Sequence, residues 1–306
     1  MPARTRLLPA FVTVLLFLTG CTAESADVPS EAADQQAGES AGAPGREPEI
    51  GQYVALGDSF TAAPFVPTTD VADGCFRSDG NYPSLVAERL DFHDFVDVSC
   101  SGASTRNLTR PQPTVQDATV PPQLDALTGD TDLVTLGIGG NDFNLFTTLL
   151  QTCTRLGQDQ PNGSPCSDYL AARGIDLMAE AGRIRGRVVD AVDQVRDRAP
   201  DARVLLVGYP RIGPSDGTCP RLLPFASGDY RQADLAARSL NDALRAAARS
   251  TDVEFVDMYA ASDGHDVCSD RPWVNGQFTD RAAALAFHPL PAGMAAVANR
   301  VLDTLG

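Results

Sequence analysis

Residues 53–60 read Tyr53-Val54-Ala55-Leu56-Gly57-Asp58-Ser59-Phe60, four apolar positions running straight into a glycine, an acid and a hydroxyl. A short unbroken apolar run is the pattern of a strand covered on both faces, as in a parallel sheet between helices. The pattern returns at Phe95–Ser99, Leu133–Ile138, Val204–Gly208 and Val253–Tyr259. Between the third and fourth runs, Ile184, Val188, Val192 and Val195 recur at helical spacing, and Pro200 marks the stop. Tyr230 to Arg249 and Ala292 to Leu305 read as two further helices. Strands alternating with helices predict a three-layer α/β/α sandwich around a central, mainly parallel five-stranded sheet.

Open parallel sheets bind ligands beyond the carboxyl ends of their strands. The first strand is followed by Gly57-Asp58-Ser59-Phe60 and the second by Ser101-Gly102-Ala103-Ser104. Gly139-Gly140-Asn141-Asp142 follows the third, and Phe287-His288-Pro289 leads into the last helix. A hydroxyl, two small-residue turns, a carboxamide and an imidazole are thus expected at one end of the sheet, which is what acyl transfer requires. Each signal has a structural reading too. A Gly-Asp-Ser serine often caps a helix, Gly102 serves equally as a turn glycine, and Asn141 as a cap. The Gly57 motif lacks the G-x-S-x-G elbow of α/β-hydrolases. Gly137-Ile138-Gly139-Gly140 fails GxGxxG because Asp142 occupies the third glycine position.

Taken in order, these four motifs resemble the SGNH, or GDSL, hydrolase superfamily, across essentially all of 51–306. Within it the chain is most similar to secreted actinobacterial lipases and esterases with three disulfides. The resemblance implies the flavodoxin-like sandwich and pairs Cys75 with Cys100, Cys153 with Cys166 and Cys219 with Cys268. It implies Ser59 as nucleophile and His288 as base. The backbone N–H groups of Ser59 and Gly102, with the Asn141 amide, would form the oxyanion hole. Most of the superfamily has Asp three residues before the histidine, whereas this chain has Leu285. The similar actinobacterial enzymes orient the imidazole with a main-chain carbonyl near that point, so the expectation is a Ser59–His288 dyad assisted by the carbonyl of Leu285. Asp266 and Asp280 are the carboxylates that would replace it. His265 also follows the fifth strand run and is the other candidate base; otherwise it reads as a loop-structuring residue, and His93 as partly exposed.

The 306 residues carry a net charge of −16, with 43% hydrophobic and 21% charged side chains. That acidity argues against nucleic acid, which needs a basic face. All 24 cationic side chains are Arg, which removes Schiff-base and Ser-Lys chemistry. With three histidines, no HExxH and no CxxC pair, no metal and no cofactor are expected.

Arg4 and Arg6 precede an apolar run from Leu7 to Leu18, too short to span a bilayer but suited to a signal peptide. Leu18-Thr19-Gly20-Cys21 resembles the bacterial lipobox. Residues 1–20 are therefore expected to be a lipoprotein signal peptide, with Cys21 lipidated and anchored in the membrane. Residues 21–50, poor in large apolar side chains, are expected to form a flexible stalk, and 51–306 a single hydrolase domain. Six cysteines remain after Cys21, an even number that suits three disulfides outside the cytoplasm.

The sequence thus reads as an exported, monomeric serine ester hydrolase acting on an acyl ester. The rivals are a polysaccharide O-acetylesterase or acyltransferase, and a non-catalytic lipid- or glycan-binding lipoprotein. Phe143, Leu145, Phe146, Leu149 and Leu150 are expected to pack a helix core or line an acyl pocket. The long loop Pro210–Ser227 is placed on the alcohol side.

Overall fold

The computed structural model describes residues 51–306; the expected signal peptide, lipidated Cys21 and stalk lie outside them. Five strands form one sheet: β1 (Gln52–Gly57), β2 (Asp94–Asp97), β5 (Leu133–Gly137), β6 (Arg203–Val207) and β7 (Glu254–Val256). Their order is β2-β1-β5-β6-β7 and every pairing is parallel. A two-stranded antiparallel ribbon, β3 (Gln112–Pro113) with β4 (Thr119–Val120), stands apart and was not read from the sequence.

The helices are α1 (Ser59–Ala62), α2 (Tyr82–Leu90), α3 (Leu145–Thr147), α4 (Thr154–Asp159) and α5 (Pro165–Arg173), followed by α6 (Leu177–Arg198), α7 (Tyr230–Thr251), α8 (Met258–Ala261) and α9 (Pro291–Leu305). Alternate strand residues serve opposite faces, because side chains along a strand point alternately up and down. Val54, Leu56, Val134, Leu136, Val204 and Leu206 pack with Ile184, Val188 and Val192 of α6 and with Leu240 and Leu244 of α7. Tyr53, Ala55, Leu133, Leu205 and Val207 pack with Val86 of α2 and with Met294, Val297 and Val301 of α9. Each fully buried Leu, Ile or Val contributes about 1.5–3 kcal/mol. The sandwich is therefore held by both faces of one sheet.

Two strands end two or more residues sooner than their runs, and an aspartate ends each. Asp97 accepts the Ser99 N–H at 2.8 Å, turning the chain out of β2. Asp257 accepts the Ala260 N–H at 3.1 Å and starts α8 where the run Val253–Tyr259 predicted strand. Side-chain bonds of this kind compete with the ladder. Disulfides join Cys75 to Cys100, Cys153 to Cys166 and Cys219 to Cys268, the pairing the resemblance implied. Among the described residues no helix is long and apolar enough to cross a membrane.

Candidate active site

The parallel strands deliver their carboxyl-end loops to one edge of the sheet. At the end of β1, Gln123 clamps Gly57 on both sides, accepting its N–H at 2.8 Å and donating to its carbonyl at 2.9 Å. Asp58 then caps α1 by accepting the Phe60 N–H at 2.9 Å. Ser59 is the first residue of α1, so its own N–H belongs to the turn that has no helical acceptor. Its side chain is 8% exposed and faces a cavity of about 570 Å³.

His288 sits in the loop before α9, and its Nε2 lies 2.8 Å from Ser59 Oγ. Its Nδ1 lies 2.8 Å from the carbonyl oxygen of Ala286. A carbonyl only accepts, so Nδ1 carries the proton and Nε2 is left to accept from the serine hydroxyl. Burial beside the Phe60 ring, 5.2 Å away, lowers the imidazole pKa from 6.5 to about 4, and the bond to Ala286 opposes that shift. The orienting carbonyl is thus Ala286, not Leu285 as expected. The Leu285 carbonyl accepts the His288 backbone N–H at 3.1 Å and the Asn275 side chain at 3.3 Å. Phe287 takes a left-handed φ of 61°, which brings the carbonyl one residue later under the ring. Asp266 and Asp280 are engaged locally, capping Cys268 and Ala282, and neither bonds His288.

The other two motifs meet Ser59 from the neighbouring strands. Gly102 has φ +80°, a conformation side chains resist, so the loop after β2 needs glycine there. Asn141 donates from Nδ2 to the Ala103 carbonyl at 2.9 Å, and a carboxamide nitrogen carries a second hydrogen. Asp142, wholly buried, accepts from Thr105 N–H at 2.9 Å, Thr105 hydroxyl at 2.6 Å and Arg187 at 2.7 Å. It ties the loop after β2 to the loop after β5. Gly140 is required by contact: a Cβ there would stand 2.1 Å from the Phe146 ring.

Ser59, Gly102, Asn141, Leu285 and His288 all line the same cavity. Its remaining wall is chiefly apolar, including Pro64, Phe65, Phe76, Phe146, Leu150 and Phe287. Phe65, Phe76 and Phe287 all have positive φ, a costly state for a bulky residue that gathers at functional sites. The stretch 143–150 divides between the two expected roles: Leu145 and Leu149 pack into the core, while Phe146 and Leu150 also line the cavity. Each pair is spaced four residues apart, so the two roles fall on adjacent stripes of the helical stretch, which continues as a π-helical turn over Thr148–Cys153. No residue of the loop Pro210–Ser227 lines the cavity, contrary to its expected place on the alcohol side. His265 stacks on Trp273 at 4.2 Å and bonds the Arg271 carbonyl, away from the cavity, and His93 is exposed.

Three supports escaped the sequence reading. Gln123 holds the Gly57–Ser59 turn, and Asn275 braces the His288 loop through the carbonyls of Phe278, Ala284 and Leu285. Tyr209 joins Asp58 to Gly140, at 2.5 and 2.9 Å. Only Tyr209 carried a signal, since it directly follows the fourth strand run at the same edge of the sheet.

A family model described as GDSL-like Lipase/Acylhydrolase matches residues 55–296. Lipase 2 of Streptomyces coelicolor is 38% identical, over 83% of this chain and 85% of its own length. Among solved structures, phospholipase A1 from Streptomyces albidoflavus NA297 superposes with a TM-score of 0.66 at 28% identity, covering 83% of this chain and 99% of that one. An extracellular lipase from Streptomyces rimosus follows at 0.65 and 26%, with the same coverage.

Proposed function

The chain belongs to the GDSL-like lipase/acylhydrolase family and is a carboxylic ester hydrolase, and from that premise we propose that it works through a Ser59–His288 dyad and an acyl-enzyme. Ser59 Oγ attacks the ester carbonyl while His288 Nε2 takes its proton. The resulting oxyanion accepts from the N–H groups of Ser59 and Gly102 and from Asn141 Nδ2, each donor worth about 3 kcal/mol. Collapse expels the alcohol, which receives the proton from His288. Water, deprotonated by the same imidazole, then attacks the acyl-Ser59 ester and releases the acid. The Ala286 carbonyl holds the tautomer throughout, in place of the carboxylate of a triad.

The observation that carries this reading is the 2.8 Å contact of Ser59 Oγ with His288 Nε2 inside an apolar cavity. The size and apolar wall of that cavity favour a hydrocarbon acyl chain over the acetyl group of a polysaccharide. The acidic N-terminal stalk, the lipobox and the three disulfides support export and anchoring at Cys21.

A fluorophosphonate probe on the disulfide-bonded protein tests the mechanism. Modification of Ser59, lost in Ser59→Ala and in His288→Ala, is expected. A folded protein that resists the probe would instead be a binding lipoprotein. Hydrolysis of p-nitrophenyl octanoate should exceed that of the acetate in kcat/KM, and the reverse order would favour a deacetylase. Labelled palmitate should enter the full-length chain in a bacterial host but not its Cys21→Ser form.

A further inference from the structure

Beneath the reacting groups lies a buried polar pair that the mechanism above does not use. Tyr209 follows β6, and its hydroxyl donates to Asp58 Oδ2 at 2.5 Å while accepting the Gly140 N–H at 2.9 Å. Asp58 precedes the nucleophile, and Gly140 precedes the oxyanion-hole asparagine. One phenol therefore spans the ends of three adjacent strands, β1, β5 and β6. Its ring also packs edge-on to Phe60 at 5.2 Å and Phe146 at 4.9 Å, and Phe60 in turn lies against the His288 imidazole. Both residues are buried, Asp58 completely.

We infer that Tyr209 and Asp58 form a positioning pair that sets the Asn141 amide against Ser59, so that the oxyanion hole is assembled only while the Asp58–Tyr209–Gly140 chain is intact. The inference rests on the Ser59–His288 reading. Its logic is donor counting. Tyr209 has one hydrogen, which goes to Asp58, leaving its oxygen to accept from Gly140. Asp58 accepts on both oxygens, from Phe60 N–H and from Tyr209, so the ionised carboxylate is the form that fits. A proton on Oδ2 would set two donors against each other in a buried site.

That requirement makes the pair sensitive to pH. Burial raises the Asp58 pKa from 3.8 to about 7, against the bonds from Tyr209 and Phe60 and with help from the Asp142 charge. The titratable groups around Asp58 are Tyr209 from the end of β6, Asp142 from the loop after β5, and Tyr82 from α2. Asp142 is itself paired with Arg187 of α6, and Tyr82 and Tyr209 are held protonated by burial. Asp58 is therefore the member of the group that changes state near neutrality.

The test compares wild type, Tyr209→Phe, Asp58→Asn and Tyr53→Phe on p-nitrophenyl octanoate from pH 4.5 to 9. Tyr53→Phe is the control. It removes an equally buried phenol hydroxyl, bonded to Thr135 at 2.8 Å on the other face of β1. We expect Tyr209→Phe to lower kcat by about 10²-fold, the scale of a small misplacement of a reacting group. KM should change by less than about twofold, and Tyr53→Phe should match wild type in kcat. Wild-type kcat should fall on the acid side near pH 7, and Asp58→Asn should lose that limb. Unchanged kcat in Tyr209→Phe, or an acid limb that Asp58→Asn leaves in place, would overturn the pair. If Tyr209→Phe does not fold, the pH profiles of wild type and Asp58→Asn decide alone. Failure of the underlying reading looks different: Ser59→Ala would then retain turnover, whatever happens at Tyr209.

Discussion

Asp142 grips Thr105 twice, through the backbone N–H at 2.9 Å and the hydroxyl at 2.6 Å. This contact holds the Gly102 turn and the Asn141 loop in one register. Gly102 and Asn141, two of the three proposed oxyanion donors, follow different strands, so nothing in either loop alone sets their separation. Replacing Asp142 with Ala leaves the Thr105 N–H without an acceptor and the half-exposed Arg187 without its carboxylate. Stability should fall by about 2 kcal/mol, measured by urea unfolding, and kcat should fall while KM holds.

Gln123→Leu is expected to be costly for a related reason. The Gly57 carbonyl keeps a bond from Cys100 N–H at 3.0 Å, but the Gly57 N–H loses its Gln123 acceptor. A buried orphan donor of this kind costs about 1–3 kcal/mol. Thermal unfolding would show it as a lowered Tm, with slower fluorophosphonate labelling of Ser59 because the Gly57–Ser59 turn loosens.

Leu150 should set the length of the acyl chain. It lines the Ser59 cavity and also a small apolar hollow bounded by Leu149, Ile212, Phe225 and Tyr230. Leu150→Ala joins the two spaces at a stability cost of about 2–4 kcal/mol. In a series of p-nitrophenyl esters, the chain length of maximal kcat/KM should move upward in the variant. An unmoved optimum would mean that the acyl chain lies elsewhere.

His288 and Asp58 act on stability with opposite signs. His288 is depressed from 6.5 to about 4, so its neutral native form contributes stability above pH 6.5 that is lost as pH falls toward 4. Asp58 is raised from 3.8 to about 7, so its contribution is fully present below 3.8 and is lost as pH rises to 7. Urea unfolding of wild type and Asp58→Asn between pH 4 and 8 separates them. Wild type should lose stability relative to the variant as pH rises across that range. A difference that does not vary with pH would mean Asp58 titrates near its ordinary value.

Burial patterns are local and survived translation into structure well. The run at Tyr53–Leu56 became β1 with one residue added at each end, and the α6 and α7 helices ended within two residues or so of their expected stops. The misjudged ends, at Asp97 and Asp257, share a cause: an aspartate side chain took a backbone N–H that the ladder would have used. The two-residue strands of the β3–β4 ribbon are too short to carry any periodicity.

By itself, the sequence determined the layered architecture, the three cysteine pairs through family resemblance, and the residue types gathered at one edge of the sheet. The architecture and the gathered residue types follow from periodicity and from the rule that parallel strands present their carboxyl ends together, whereas the cysteine pairing came from the resemblance alone. Only the tertiary structure decided which carbonyl faces His288, and that Tyr209, Gln123 and Asn275 support the site. Ser59 and His288 are 229 residues apart, and Gly57 and Gln123 are 66 apart. A hydrogen bond is made or lost over less than an ångström. Such choices depend on how distant loops close over one another, which no local pattern of side chains encodes.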